Sequence, residues 1–282
     1  MAKRRKQIIA GRLVSELAYT VAYPHDPEHV RQEKRKMSTK ARQRQNIKAA
    51  CKALEMLIAA NFTARDLVLT LTYRNKDLPD SRKDAVGNLK KLFRDLRAYR
   101  KARGQELKYI YVTESKHEKG RLHHHVVINS TGADLDVIKS LWRWGDDIEM
   151  DYVDTRQYRA LAEYLAKEPK EAGARNGKRM WTPSKNLARP IQKCDWIDDR
   201  VTLEPPPGAT VLESSSERNE FGEYVYLKYL LPEIKPRPCR TSRRRRTHKD
   251  VSIFSGLEPC INNGHASENT RAGHRQELES RV

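Results

Sequence analysis

The residues of this 282-residue chain best suited to chemistry stand close together, where three histidines follow one another in Gly120-Arg-Leu-His-His-His-Val-Val-Ile-Asn129. Side chains along a β-strand alternate between its two faces. Read as a strand, the stretch puts His123, His125 and Val127 on one face and Leu122, His124, Val126 and Ile128 on the other. The second set is mostly apolar and fits a core, with His124 a packed, hydrogen-bonded member of it. The first set holds two imidazoles side by side, the spacing needed to grip one metal ion. Glu114 ends the preceding strand, and it joins them if the two strands are neighbours. Two imidazoles and a carboxylate make a competent divalent-metal set. Imidazole favours zinc and iron, carboxylate magnesium and manganese, so the ligand types leave the metal open. His117, in the turn between the strands, is the weakest candidate.

A second group of interest lies on the helix expected over Arg156 to Lys167. Leu161 and Leu165 form its inward stripe, Tyr164 borders that stripe, and Lys167 follows at i+3 on the side of Tyr164. A phenol with an ordinary pKa of about 10 is a poor nucleophile at neutral pH. A neighbouring ammonium and a metal-activated phosphorus would together make its attack feasible. Tyr158 points to another face of the helix and is not a second nucleophile.

Several elements must position these groups. Residues 1–35 are basic and broken by Pro24 and Pro27, and read as an arm or loose terminus. From Ser38 to Asn61 apolar residues recur at helical spacing, at Ile47, Cys51, Leu54 and Ile58. Asp66 to Tyr73 reads as a buried strand, with Thr70 and Thr72 shaping the sheet beneath the site rather than doing chemistry. Asp80 to Arg103 is the clearest helix, striped by Leu89, Leu92, Phe93 and Leu96 and closed by Gly104. Leu107 to Glu114 is a strand, joined to the histidine strand as an antiparallel hairpin. A short helix from Asp134 stops at Gly145, Ile148 to Val153 is a strand, and Tyr224 to Leu231 is an added strand. Each helix has one apolar face, which predicts an α+β fold: an antiparallel sheet with helices stacked mainly on one face. The expected organisation is a basic arm and amphipathic helix over 1–61, a catalytic domain with the added strand over 62–232, and a disordered basic and polar tail over 233–282.

A formal net charge of +19 points to a polyanionic partner, nucleic acid foremost. The run Arg243, Arg244, Arg245 and Arg246 adds non-specific DNA affinity by counterion release, and Arg121 is placed to meet a phosphate. No apolar run of about 18 residues occurs, so neither a membrane span nor a membrane partner is expected. The basic start lacks the apolar stretch of a signal peptide. Cysteines 51, 194, 239 and 260 form no C-x-x-C pair, which fits the reducing cytoplasm better than a disulfide framework. No Walker A pattern is present, so no fused helicase is expected.

Three blocks, taken in order, resemble those of the HUH endonucleases that initiate rolling-circle replication, closest to bacterial plasmid- and phage-type replication-associated proteins. Leu67-Val-Leu-Thr-Leu-Thr-Tyr73 resembles the first motif, Gly120-Arg-Leu-His-His-His125 the metal motif, and Tyr164-Leu-Ala-Lys167 the tyrosine motif. The helix before Asn61-Phe62 and Ser184-Lys-Asn-Leu187 also have counterparts there. His124 departs from the pattern, since a bulky apolar residue usually separates the paired histidines.

The resemblance implies an RRM/ferredoxin-like HUH domain that binds single-stranded origin DNA with Mn²⁺ or Mg²⁺ on Glu114, His123 and His125. Tyr164 would form a 5′-phosphotyrosyl link and free a 3′-OH, with Lys167 lowering the phenol pKa or stabilising the transition state. Host helicase and polymerase would act as partners. Three rival readings share parts of this pattern: a single-tyrosine HUH transposase, a zinc hydrolase, and a non-catalytic basic nucleic-acid-binding protein.

Overall fold

The computed structural model describes residues 2–21, 40–115, 121–166, 181–198, 200–219 and 222–233. In chain order the elements are β1 (Ala2–Ala10), β2 (Leu13–Val21), α1 (Lys40–Asn61), β3 (Leu67–Leu71), α2 (Arg82–Lys101), β4 (Tyr109–Ser115) and β5 (Leu122–Ile128). Then come α3 (Asp134–Leu141), β6 (Ile148–Tyr152), α4 (Tyr158–Leu165), β7 (Thr182–Pro183), β8 (Ile191–Ile197), β9 (Thr210–Asn219) and β10 (Gly222–Leu230). Among the described residues they build two antiparallel five-stranded sheets. The central sheet has the order β6-β3-β5-β4-β7 and the flanking sheet β8-β1-β2-β10-β9.

The α+β class and the antiparallel pairing of β4 with β5 follow the sequence expectation, but the helices divide between both faces of the central sheet. On one face α2 and α3 bury Leu89, Leu92, Phe93, Leu96 and Ile138 against Leu69, Tyr111, Val126 and Ile128. Each fully buried side chain of this kind is worth about 1.5–3 kcal/mol. Ser81 caps α2 by accepting from the Asp84 amide, and Gly104, at φ 67°, ends it in the left-handed conformation. On the other face, α1 and α4 cover Ile110, Val112 and Val127 with Leu54, Ile58, Phe62, Ala162 and Leu165.

The basic arm expected at the N-terminus is, over residues 2–21, a hairpin inside the flanking sheet, with β1 and β2 paired from Ala2↔Val21 to Ala10↔Leu13. Its run of charges disguises the alternation, because Lys3 and Arg5 are paired across the sheet with Glu223 (2.7 Å) and Asp195 (3.3 Å). Gly11 makes the turn at φ 57°, and a Cβ there would lie 2.5 Å from the Ala59 carbonyl of α1. Only glycine allows that approach. The sequence predicts a single sheet, yet the strand expected at Tyr224 to Leu231 pairs with β2 and β9 in a second one. The second half of α1 therefore touches both sheets, with Ala10, Leu13 and Leu230 joining its core. Glu55 on α1 is buried there against Lys228 of β10 at 3.0 Å. Lys228 also meets Glu213 of β9 at 3.0 Å, and Glu213 receives Arg159 of α4 at 3.1 Å. The expected tail lies beyond residue 233, outside the described residues, and so do Arg243, Arg244, Arg245 and Arg246.

Two local clasps hold the central sheet. Asn61 donates to the Ala188 carbonyl and accepts from its amide, at 2.9 and 2.8 Å, while Ser184 brackets Tyr109 of β4 through both backbone and side chain. At the far end from the histidines, Arg100 is buried on Asp134 at 2.7 Å and on the Asn129 side chain and carbonyl. Asp134 in turn accepts from Ser130 and Thr131. Removing one partner of a buried pair strands the other charge, at a cost of about 3–5 kcal/mol. Arg100→Ala is therefore expected to lower the unfolding free energy by about that amount. Chemical denaturation checks this, and a loss below about 1 kcal/mol would contradict the assignment of the pair as structural.

Candidate metal and nucleophile site

The site is built on strand register. β4 and β5 pair so that Glu114 opposes His123 and Val112 opposes His125, and β3 places Thr70 opposite His125 from the other side. Opposed residues share a face. The condition on Glu114 is thus met, and its Oε2 lies 3.5 Å from Nε2 of both His123 and His125. The ligand atoms of the three residues lie within 4.8 Å of one another, and they form a group able to hold a metal ion.

Both imidazoles are oriented from behind. His123 Nδ1 lies 3.1 Å from the Arg121 carbonyl, which can only accept, so Nδ1 carries the proton and Nε2 presents its lone pair. His125 Nδ1 lies 3.2 Å from the Thr70 hydroxyl, an arrangement that frees its Nε2 in the same way. Burial disfavours ionisation of Glu114, but hydrogen bonds and charge from His123 and His125 outweigh it and pull the carboxyl down to about 2. Its Oε1 is buried with no hydrogen-bond partner. An orphaned buried acceptor costs about 1–3 kcal/mol, a cost that a coordinated cation removes. The donor set, its orientation and the orphan oxygen all fit a divalent ion.

His124 points to the opposite face. It is fully buried, with Nε2 2.8 Å from the Tyr73 hydroxyl and Nδ1 2.9 Å from Thr113 Oγ1. Burial, reinforced by the charge of His123, drives its pKa down to about 3, so it stays neutral inside the core. Its polar atoms are satisfied where an apolar side chain would otherwise sit.

Tyr164 reaches the site from α4. That helix is fixed by Tyr158, Ala162 and Leu165, which are buried against the α1 layer, and by the Tyr158 hydroxyl donating to the Phe62 carbonyl at 2.8 Å. With that face turned inward, Tyr164 stands 49% exposed, its hydroxyl 3.2 Å from His125 Nε2 and its ring edge-on to the imidazole. Burial raises the Tyr158 phenol to about 12. Burial also raises that of Tyr164, helped by the negative charge of Glu114 and Glu149.

Glu149 is a residue the sequence reading did not single out. It opposes Thr70 on β6, so it shares the site's face. The alternation of residues 148–153 is visible in the sequence, but its face becomes readable only through pairing with β3. Arg121 donates to Asn75 Oδ1 and the Tyr73 carbonyl, which ties the start of β5 to the end of β3. Gly145, expected to stop α3, lies beyond its end and packs where a Cβ would meet the Thr72 carbonyl at 2.0 Å. Lys167, His117 and Gly120 lie outside the described residues.

Two outcomes follow from this geometry. Thr70→Val removes the partner of His125 Nδ1 and is expected to weaken Mn²⁺ binding about 10–100-fold in calorimetry, whereas unchanged affinity would deny the hydroxyl an orienting role. Glu149→Gln removes a negative charge that disfavours the phenolate, so the Tyr164 pKa should fall towards its ordinary value. Near-ultraviolet titration of the metal-free protein, with Tyr164→Phe subtracted, reads that shift, and an unmoved or higher value would contradict it.

Among curated proteins and solved structures, none matches this chain. The central elements tell more: residues 66–169, which run from the start of β3 past the end of α4 and contain Thr70, Glu114, Arg121, His123, His125, Glu149 and Tyr164, match the replication-associated protein family of the ORF2 type, in accord with the resemblance of the three sequence blocks to replication initiators.

Proposed function

We propose that this protein is a cytoplasmic rolling-circle replication initiator that nicks single-stranded origin DNA through Tyr164. The observation that supports this most directly is the convergence on His125. Its Nε2 faces the Tyr164 hydroxyl at 3.2 Å and Glu114 at 3.5 Å, so nucleophile and metal-type ligands share one small volume. The family match over residues 66–169 supplies the replication context.

In the proposed reaction the scissile phosphate lies over β5, between Tyr164 and the Glu114–His123–His125 group. Mn²⁺ or Mg²⁺ on those three ligands supplies Lewis-acid neutralisation of charge on the phosphate oxygens when bound. Tyr164 gives up its phenolic proton as the Oη–P bond forms. The P–O3′ bond breaks, the 3′ oxygen takes a proton from water, and a 3′-OH is left for a polymerase. The phosphotyrosyl bond conserves the energy of the broken linkage, so the same site can rejoin ends without ATP. Lys167 is assigned to favour the phenolate or the transition state through its charge, and Arg121 to hold a backbone phosphate. Arg243, Arg244, Arg245 and Arg246 add sequence-independent attraction. The host's helicase and polymerase complete the reaction sequence.

The test uses labelled single-stranded DNA covering the replicon's candidate origin hairpins, with products resolved on a denaturing protein gel. Wild type with Mn²⁺ or Mg²⁺ should give a covalent protein–DNA adduct that EDTA abolishes and Tyr164→Phe lacks. Tyr158→Phe should keep the adduct, because that hydroxyl is spent on the Phe62 carbonyl. An adduct surviving Tyr164→Phe would move the nucleophile elsewhere. Binding without cutting under any metal would return the protein to the class of nucleic-acid-binding modules.

A further inference from the structure

None of the five strands of the flanking sheet falls within the family-matched residues 66–169. What that sheet does is therefore a separate question from the chemistry at Tyr164. Its cross-strand register answers part of it. Arg4 of β1 opposes Trp196 of β8 on one side and Tyr19 of β2 on the other, and Tyr19 opposes Tyr224 of β10. Opposed residues share a face, so Trp196, Arg4, Tyr19 and Tyr224 form one row across four adjacent strands. Three interstrand steps of about 4.8 Å make the row roughly 14 Å long. The Arg4 guanidinium lies over the Trp196 ring, 5.6 Å from its centroid.

This row is not core. Trp196 is 65% exposed and Tyr224 37%. It is also edged with positive charge. Lys6 follows Arg4 on the same face of β1. On α1, Lys52 lies over the Tyr226 ring at 4.5 Å, and Lys48 is one helical turn further along. Glu55 of α1 meets Lys228 and Lys52 meets Tyr226, so α1 runs along β10 in the direction that leads Lys48 towards Tyr224. The carboxylate of the row, Glu217, opposes Tyr224 on the outermost strand β9 and marks its acidic end.

We infer that this aromatic row with its basic border is a second nucleic-acid surface, one that takes unpaired DNA by stacking bases on Trp196, Tyr19 and Tyr224 while Arg4, Lys6 and Lys48 meet phosphates. Flat, exposed aromatic rings interleaved with cations suit single strands, whose bases offer free π-faces, and they tolerate any sequence. Duplex DNA keeps its faces stacked inside. At about 3.4 Å per nucleotide the row has room for roughly four nucleotides. Charge complementarity favours this occupant over a second copy of a chain that itself carries a net charge of +19. The choice of DNA over RNA rests on the replication reading; the surface itself does not.

The test measures fluorescence anisotropy of dye-labelled oligo-dT, which holds no origin hairpin, on the full chain in EDTA, so that cutting plays no part. The Trp196→Ala, Tyr224→Ala double variant should weaken binding about tenfold or more. The Trp196→Phe, Tyr224→Phe variant, which keeps the rings, should stay within about threefold of wild type and share its melting curve. Arg4→Ala should lower the slope of log affinity against log salt by about 0.7. Unchanged affinity in the alanine variant, an equal loss in the phenylalanine variant, or equal affinity for a duplex of the same length would overturn the inference. A change in sedimentation without a change in DNA affinity would assign the face to contacts between copies, and tighter binding of oligo-U would overturn the assignment to DNA. Because oligo-dT binding is read without cleavage, it can fail while the Tyr164 adduct forms, or hold while the adduct does not.

Discussion

The antiparallel register of β3, β5 and β4 is the constraint on which the rest of the molecule depends. It sets Glu114 against His123 and places His125 between Val112 and Thr70. A slip of one residue would turn His124 towards the ligands and send His123 and His125 into the core, because strand side chains alternate strictly. Opposite penalties guard both faces. Val126 and Ile128 would lose their burial against α2, while His124 would leave the two hydroxyls, of Tyr73 and Thr113, that satisfy its ring nitrogens. The hydrogen-bonded His124 is thus a register pin as well as a core residue. A ligand face of two imidazoles alone would have no such restoring force.

The same logic runs one layer outward. Tyr164 reaches His125 because three other residues of α4 are buried, and they are buried because α1 lies across that face of the sheet. α1 in turn is held from its far side by the flanking sheet, through Ala10, Leu13 and the Lys228–Glu55 pair. The position of the Tyr164 phenol is therefore the last link in a chain of packing that starts with residues far away in sequence. None of those outer residues touches the site, yet each restricts where the phenol can be.

The sequence showed most clearly what depends on local periodicity. The α2 stripe, the two faces of β5 and the conditional place of Glu114 all follow from alternation or helical spacing within one element. Contacts between elements were less visible. Thr70 could be placed on a strand, but its bond to His125 Nδ1 needed the pairing of β3 with β5, and Glu149 needed that of β3 with β6. The flanking sheet escaped for a different reason. β8 is exposed on both faces over most of its length, and β9 is polar, so neither has an apolar alternation to detect. In β1 the charges of Lys3 and Arg5 are neutralised by partners some 190 residues or more away, a distance across which a linear reading sees only a basic run.

The burial of α1 between two sheets bears on modularity. The span that matches the replication family begins at residue 66, after α1, and ends before the strands that pair with β1 and β2. Cut at those limits, the central sheet would keep Glu114, both histidines and Tyr164 but expose Ile110, Val112 and Val127 to water, and Arg159 would lose Glu213. The family-matched segment thus carries the whole site without being a folding unit. Any minimal version of this protein, or any graft of its site onto another scaffold, has to bring α1 and a surface for α1 to lean on.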